Sequence, residues 1–435
     1  MTAPMSLLKR PKPTAVVLGL LCVMYLITYV DRVNISTAAD SIRRELALSP
    51  VQLGFLQSAF GYPYLIFQIF GGWIGDRFGP HRTLFLCGLV WATATILTGF
   101  AGGLTSLFMC RLLVGIGEGA TFPVATRAMQ NWTPVGRRGF AQGLTHAFAR
   151  LGNAVTPPIV AWLIVAFQWR GSFITLGVCS LVWVLIWYWY FRDTPAEHPS
   201  ITRAELDILP NHGAPAKIVR PRVPWVALTK RMAPVTIVYF CYGWTLWLYL
   251  TWMPLYLLNE YKFDLKKSAL LTSAVYLPGV LGDYLGGVIS DRSLHRTGDL
   301  LKARRNVVMF GFLASFVCMV PVFLTHDLIP IILSLGAALF FAEIVIGPMW
   351  SIPMDIAGKF SGTAAGMMNT GSALAAILSP IAFGYIVART GNWQLPFAGS
   401  LGFLLLGAIL APHMHPERSF EEAGSSPPMQ TAHLS

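Results

Sequence analysis

The sequence predicts an all-α membrane protein with twelve transmembrane helices in two pseudo-symmetric bundles of six. Three observations predict this fold: the composition, the number of long apolar segments, and a motif that recurs in both halves. Of the 435 residues, 54% are hydrophobic and only 12% are charged, whereas soluble globular chains carry about 25% charged residues. Instead of the usual share of charged residues, the chain has apolar segments that are long enough to cross a bilayer.

The apolar segments define the order of the helices, because a membrane-spanning helix needs about 20 mostly apolar residues. Twelve segments have this character: 15–37, 50–73, 82–102, 104–128, 139–166, 170–192, 231–258, 267–290, 305–325, 328–354, 362–388 and 393–412. A polar segment rich in proline and charge separates the sixth span from the seventh. We therefore predict an N-terminal bundle (1–192), a cytoplasmic linker (193–230), a C-terminal bundle (231–412) and a disordered cytoplasmic tail (413–435).

The positions of lysine and arginine predict the orientation of the chain. If the N-terminus is cytoplasmic, 22 of the 32 basic residues lie in cytoplasmic segments and 7 lie in outer loops. Cytoplasmic loops carry the excess of basic residues, so we expect a multi-pass protein of the inner membrane with both termini in the cytoplasm. The net charge of +12 comes from these short loops, which argues against nucleic acid as a partner.

A short motif recurs at equivalent places in the two halves. Gly71-Gly-Trp-Ile-Gly-Asp-Arg77 follows the second span, and Gly286-Gly-Val-Ile-Ser-Asp-Arg292 follows the eighth. Further along, 223 residues separate Gly143 from its counterpart Gly366. Two parallel halves with a binding site between them near the midplane are a transporter architecture.

Several ionisable residues lie inside the predicted spans, where a charge costs on the order of 3 kcal/mol. They are Asp31 and Arg32 in the first span, Arg111 and Glu118 in the fourth, and Arg150 in the fifth. Such residues mark an ion or substrate path by default. The six cysteines fall in apolar segments without metal-ligand spacing, so we predict no metal site, no cofactor and no disulfide.

These motifs resemble a known family. The duplicated Gly-Gly-x-x-x-Asp-Arg loop resembles the signature loop of the major facilitator superfamily. Five further stretches resemble the anion:cation symporter family within it: Tyr29-Val-Asp-Arg-Val-Asn34, Gln68-x-x-Gly-Gly-Trp73, Arg111-x6-Glu118-x4-Pro123, Leu250-Thr-Trp-x-Pro254 and Gly366-x2-Asn369. That family carries organic anions such as sugar acids, aromatic carboxylates and dicarboxylates. The resemblance spans the whole chain, but it does not specify the substrate.

Arg32 is the main candidate for binding an anion. It shares a helix face with Tyr25 and Tyr29, and a guanidinium between aromatic rings suits a carboxylate held by two hydrogen bonds. The resemblance implies the same role, and the alternative is a structural ion pair with another span. The substrate-binding candidates are Arg32 and Tyr29 in the first span, Tyr64 and Gln68 on one face of the second, Trp350 and Asn369 by resemblance, and Arg150 as a second anion contact.

Buried carboxylates are the candidates for proton coupling. Because burial disfavours an ionised carboxylate, Asp31 can take up and release a proton; the alternative is a permanent salt bridge. The resemblance implies that Glu118 is a second proton-coupling carboxylate, tuned by Arg111. Glu343 shares a face with Trp350 and is either an extra protonation site or the partner of an arginine.

The duplicated loop also predicts a gate. Asp76 can accept hydrogen bonds from a neighbouring helix N-terminus while Arg77 or Arg82 closes an ion pair; the alternative is an ordinary positive-inside loop. Asp283, near the inner end of the eighth span, is expected to pair with Arg292 or another basic loop residue. The gating candidates are Asp76, Arg77, Arg82, Asp291 and Arg292.

The sequence thus predicts proton-coupled symport of an organic anion by alternating access. The expected partners are a small organic anion, protons and the lipid bilayer, and we expect a monomer because one pair of halves forms a complete path. A sugar acid (a hexonate, hexuronate or aldarate) is favoured. Alternatives are an aromatic carboxylate or dicarboxylate substrate, or a sodium-coupled or facilitative carrier. Drug antiport is disfavoured because the fifth span lacks Gly-Pro-x-x-Gly-Gly, and an enzyme is disfavoured because no catalytic constellation is present.

Overall fold

A computed structural model of the chain describes residues 12–48, 52, 56, 59–210, 223–262 and 265–420. Over these residues the chain forms helices joined by short turns, and they contain no strand. Residues 211–222 of the predicted linker and 421–435 of the predicted tail lie outside the described part of the chain.

The first half consists of long apolar helices, two of which begin at proline. They are α1 (Pro13–Glu45), α2 (Gly61–Phe78), α3 (Pro80–Thr98), α4 (Leu104–Gly119), α5 (Thr121–Trp132) and α6 (Arg138–Tyr190). Proline suits the first turn of α1 and α3 because the N–H that it lacks has no helical partner there. Helix α6 covers the fifth and sixth predicted spans, and the backbone of Gln168 (φ 60°, ψ 174°) breaks it between them.

A short helix of the linker, α7 (Arg203–Ile208), precedes the second half. The second half contains α8 (Trp225–Glu260), α9 (Leu265–Thr297), α10 (Asn306–Met319), α11 (Leu328–Ile344), α12 (Ile346–Ala357), α13 (Ser361–Thr390) and α14 (Pro396–Leu410). Helices α11 and α12 together form the tenth predicted span. Gly391 ends α13 in the left-handed conformation (φ 67°), which glycine adopts without a steric penalty.

Each of the twelve predicted spans is mainly helical over its described residues. By length and composition alone, seven segments of the described chain are long and apolar enough to cross a membrane. One of these segments, Leu328–Ser379, joins the tenth predicted span to most of the eleventh. The other predicted spans are helical, but their described stretches are shorter or more polar.

Glycines bring the two halves into backbone contact at equivalent positions. A Cβ atom on Gly366 of α13 would lie 2.2 Å from the Gln68 carbonyl oxygen of α2. A Cβ atom on Gly143 of α6 would lie 2.3 Å from the Asp283 carbonyl oxygen of α9. The two glycines that the repeat relates therefore each permit close packing of one half against the other.

The described start of the tail is packed against the bundle. Arg231 donates hydrogen bonds to backbone carbonyl oxygens of the tail, including that of Met414 at 2.9 Å. The Phe420 amide donates to the Ile356 carbonyl oxygen at 2.8 Å. The prediction of a disordered tail is therefore wrong for residues 413–420, because a guanidinium and a helix end satisfy its backbone groups.

Candidate functional site

A cavity with an empty volume of about 380 Å³ lies between the two halves. Helices α1, α2, α5 and α6 contribute to its wall from the first half, and α8, α12 and α13 contribute from the second. Six of the seven predicted substrate-binding residues line it: Tyr29, Arg32, Tyr64, Arg150, Trp350 and Asn369. The chain therefore brings residues from seven helices to one central site.

Arg32 reaches this cavity as half of a buried ion pair. Its Nε donates to Glu118 Oε2 at 2.6 Å, and the Glu118 side chain is fully buried. The Arg32 side chain is 11% exposed, and its Nη2 has no hydrogen-bond partner. Its guanidinium carbon lies 4.7–5.1 Å from four ring centroids, those of Tyr29, Phe60, Tyr64 and Phe122. Cation–π contacts of a desolvated guanidinium are worth about 2 kcal/mol, so the arginine is held in place with one donor still unused.

Asp31 and Arg111 lie behind this ion pair. Ser180 donates to Asp31 Oδ2 at 2.9 Å, while Asp31 Oδ1 has no hydrogen-bond partner. The Arg111 guanidinium interacts electrostatically with both Glu118 and Asp31, although the hydrogen-bonded ion pair of Glu118 is with Arg32. Two acids and two arginines therefore form one buried group in the first half.

Arg150 holds a second buried ion pair, which crosses between the halves. Its Nε and Nη2 donate to the two carboxylate oxygens of Glu343 at 3.0 and 3.2 Å. The Tyr242 hydroxyl accepts from Arg150 Nη2 at 2.9 Å and donates to Glu343 Oε2 at 2.7 Å. Arg150 Nη1 donates to the Tyr29 hydroxyl at 3.3 Å. Glu343 is thus the partner of an arginine, and its other expected role, as a protonation site, stays a prediction.

Asp283 lies beside this ion pair, and the expected pairing with Arg292 is wrong. Its Oδ2 is 3.7 Å from Arg150 Nε, and its side chain is fully buried. Neither carboxylate oxygen accepts a hydrogen bond from an N–H or hydroxyl group of the described residues, and the carboxyl group lies within hydrogen-bonding reach of the Glu343 carboxylate. Arg292 is nine residues, or about 13 Å, further along α9, too far for the Asp283 side chain to reach.

His146 is a cavity residue that the sequence analysis missed. It precedes Arg150 by four positions, so both side chains lie on one face of α6; this spacing was the available signal. The His146 ring centroid is 5.0 Å from that of Trp350, and its Nε2 has no hydrogen-bond partner. Gln68, the seventh substrate-binding candidate, accepts a hydrogen bond from Asn369 Nδ2 at 2.8 Å and so links the two halves.

Asp76 joins the halves at the end of the bundle where α6 passes into the linker, here called the linker end. Its carboxylate accepts from the Gly362 amide at 3.0 Å and from the amide and hydroxyl of Thr363, both at 2.6 Å. These donors form the N-terminus of α13, where backbone N–H groups favour a negative charge. Arg127 Nε lies 3.5 Å from Asp76 Oδ1.

Asp291 makes the equivalent contact in the opposite direction: it lies in the second half and binds a helix of the first half. It lies on α9 and accepts from the Gly139 and Phe140 amides at 3.1 and 2.6 Å, at the N-terminus of α6. Arg304 donates to Asp291 Oδ1 at 3.0 Å and is itself fully buried. Arg304 also pairs with Asp355 at 3.0 Å. The duplicated motif thus caps one helix N-terminus of each half from the opposite half.

The arginines that pair with these aspartates are not those that the sequence suggested. Asp76 pairs with Arg127, and Asp291 pairs with Arg304, rather than with the adjacent Arg77 and Arg292 or with Arg82. Arg77 instead lies over two aromatic rings of its own helix, at 5.5 and 5.7 Å. Successive residues of a helix point about 100° apart, so an arginine next to an aspartate does not face the same neighbour.

Comparison with known proteins places the chain in a family. Residues 21–380 match the Major Facilitator Superfamily. A probable sulfoacetate transporter of Cupriavidus necator is 48% identical over 409 residues, covering 94% of this chain and 95% of the relative. A probable galactarate/D-glucarate transporter of Escherichia coli K12 is 30% identical over 430 residues, covering 94% of each chain.

Solved structures share the fold. A proton:xylose symporter superposes with a TM-score of 0.76 at 15% identity, over 94% of this chain and 98% of that one. The human organic anion transporter MFSD10 superposes with a TM-score of 0.70 at 17% identity, over 92% and 100% of the two chains.

These similarities confirm the predicted fold, in which twelve transmembrane helices form two six-helix bundles. They also confirm a multi-pass membrane protein that is a transporter and not an enzyme. The chain belongs to the major facilitator superfamily and, within it, to the anion:cation symporter family that its motifs resemble.

Proposed function

We propose that this protein carries a small organic anion into the cell together with protons, by alternating access of the central cavity. It acts as a monomer in the inner membrane, with both termini and the linker in the cytoplasm. The observation that carries the proposal is the Arg32–Glu118 ion pair in the cavity wall, with its N–O distance of 2.6 Å.

This ion pair supports a coupling mechanism. Glu118 neutralises Arg32, so an anion that binds Arg32 adds an uncompensated charge to a buried site. Such a charge costs several kcal/mol. A proton on Glu118 removes this cost and frees Arg32 for the anion. Asp31, buried behind the pair with one oxygen unpartnered, is the second proton carrier, and Arg111 stabilises its ionised form.

The two aspartate junctions form the cytoplasmic gate in this proposal. Asp76 and Asp291 each bind a helix N-terminus of the opposite half, so together they hold the cytoplasmic side shut. When the halves rock apart there, these hydrogen bonds break, and the anion and protons leave to the cytoplasm.

The substrate is a short sulfonate or carboxylate, and sulfoacetate is the first candidate, ahead of the sugar acids that family frequency favours. The relative named as a probable sulfoacetate transporter is 48% identical, whereas the galactarate/D-glucarate relative is 30% identical. The cavity wall is also largely aromatic, with two arginines. Each arginine can bind one anionic head group.

Uptake into proteoliposomes tests the proposal. Labelled sulfoacetate and D-glucarate are offered with and without an inward proton gradient, at equal membrane potential. We expect gradient-driven accumulation of sulfoacetate, and a loss of affinity of at least 100-fold in Arg32→Ala, since two charge-assisted hydrogen bonds are worth about 3 kcal/mol or more. The matched control is Arg296→Ala, at the exposed end of α9. The proposal is refuted if accumulation is the same with and without the proton gradient, or if Arg32→Ala binds sulfoacetate with the affinity of the wild type.

A further inference from the structure

We propose that Asp283 and Glu343 form a second proton site, linked through Arg150 to a second anionic group of the substrate, so that the carrier selects doubly charged anions. This inference rests on the proposed function and names the substrate class of the same cavity. It follows from the charges around Arg150, from the position of Arg150 in the cavity wall, and from charge neutrality in a buried site.

The charges of Arg150, Glu343 and Asp283 do not sum to zero when all three groups are ionised. Glu343 already holds Arg150 through two hydrogen bonds, at 3.0 and 3.2 Å. Asp283 is 3.7 Å from Arg150 Nε and fully buried, and its hydrogen-bonding neighbour is the Glu343 carboxylate rather than an N–H or hydroxyl donor. An ionised carboxylate buried without hydrogen bonds costs many kcal/mol. One guanidinium cannot offset two carboxylates, so the cluster holds one proton in this state, and it resides on Asp283.

The groups around the cluster do not supply a second cation. The titratable side chains that face it are phenols and one imidazole, contributed by α1, α6, α8 and α9: Tyr29, His146, Tyr239, Tyr242, Tyr249 and Tyr276. Among the described residues, Arg150 is the permanent cation in contact with the two acids. The proton count of the cluster therefore depends on what Arg150 binds.

Arg150 stands between the acids and the central cavity. It lines that cavity, and it also lines a smaller one of about 260 Å³, which Glu343 and Tyr276 border. On the cavity side, Arg150 and Arg32 flank the same aromatic ring, with their guanidinium carbons 5.7 and 4.9 Å from the Tyr29 centroid. Both guanidiniums thus belong to the wall of one cavity, and the proposal places one anionic group of a short dianion at each of them.

A dianion in this position changes the proton count. One anionic group binds Arg32, as in the proposed function. The second anionic group binds Arg150, whose charge Glu343 already neutralises. Without a further proton, the cluster would then carry a net negative charge. A proton from the outer solution on Glu343 restores neutrality, so the acids hold two protons instead of one. A monoanion of the same size binds Arg32 alone and leaves this cluster unchanged.

Calorimetry on the purified full-length protein measures this difference directly. Binding heats in buffers of different ionisation enthalpy give the number of protons taken up with each ligand. Sulfoacetate is compared with isethionate, in which a neutral hydroxymethyl group replaces the carboxylate. We expect sulfoacetate to take up about one more proton, so that raising the pH by one unit weakens its binding about tenfold more than that of isethionate.

Variants assign the extra proton to the cluster. Asp283→Asn and Glu343→Gln each leave one carboxylate for one guanidinium, so each single variant keeps the extra proton uptake with sulfoacetate. The double variant has no carboxylate left there and loses the extra uptake. Arg150→Gln loses both the extra proton and the preference for sulfoacetate over isethionate. Isethionate binding checks the folding of every variant, and Asp299→Asn, in a turn outside the bundle core, is the matched control.

The outcomes separate the two proposals. Equal proton uptake with the two ligands, or extra uptake that survives in the double variant, overturns the second proton site while the proposed anion symport stands. Failure of the wild-type protein to bind either anion overturns both proposals.

Discussion

Replacing Asp76 with asparagine should open the linker end of the bundle, which the proposed function assigns to the cytoplasmic side. The carboxylate accepts three hydrogen bonds from Gly362 and Thr363 at the N-terminus of α13. An asparagine keeps one acceptor oxygen but points an NH2 group at a backbone N–H of the facing helix. Asp76→Asn therefore removes at least one charge-assisted hydrogen bond and the attraction between a negative charge and the helix terminus.

The size of the effect follows from these two losses. A hydrogen bond to a charged group contributes about 1.5–3 kcal/mol, and a negative charge at a helix N-terminus contributes about 0.3–1 kcal/mol. The closed state should lose about 2–4 kcal/mol relative to the state that is open at the linker end, which is roughly a 30- to 700-fold shift in their equilibrium. Asp291→Asn should act similarly, because Asp291 makes the equivalent contacts on α6.

Pulsed electron paramagnetic resonance measures this shift. Spin labels at Arg82 and Arg296, both exposed and on opposite halves at the linker end, report the separation of the halves in a cysteine-free background. We expect the fraction of long distances to rise strongly in Asp76→Asn and in Asp291→Asn, but not in the surface control Asp299→Asn. Distance distributions that match the wild type in both variants would show that the two aspartates do not hold the gate shut.

Three further results are expected. Glu118→Gln frees Arg32 permanently, so the Kd of the monoanion isethionate at pH 7.5 should fall to its value at pH 5.5; an isethionate Kd that stays pH-dependent contradicts the coupling mechanism. Asp31→Asn should abolish uphill uptake but keep counterflow exchange, and full accumulation in that variant excludes Asp31 as an essential proton carrier. Gly366→Ala places a Cβ 2.2 Å from a backbone oxygen of α2 and should destabilise by about 1–3 kcal/mol, measured as a lower Tm, whereas Gly402→Ala, with open space around it, should not; equal Tm values contradict the close packing.

Much of the architecture could be read from the sequence because the signals are local. The length of an apolar segment identifies a membrane-spanning helix, and the excess of basic residues in alternate loops predicts the orientation of that helix in the membrane. The duplicated Gly-Gly-x-x-x-Asp-Arg motif relates the halves, and charges inside apolar segments mark candidate site residues such as Arg32 and Arg150. Membrane helices satisfy their own backbone hydrogen bonds, so each one is recognisable without its neighbours.

The sequence did not determine which side chains pair, and that is what the site depends on. Glu118 could have paired with Arg111 on its own helix, yet it binds Arg32, 86 positions away. Asp283 looked like the partner of a loop arginine but lies beside Arg150. The sequence by itself determined the helices, their order and the ionisable residues within them. Only the tertiary structure decided the partners, because ion pairs form between helix faces that packing brings together from distant parts of the chain.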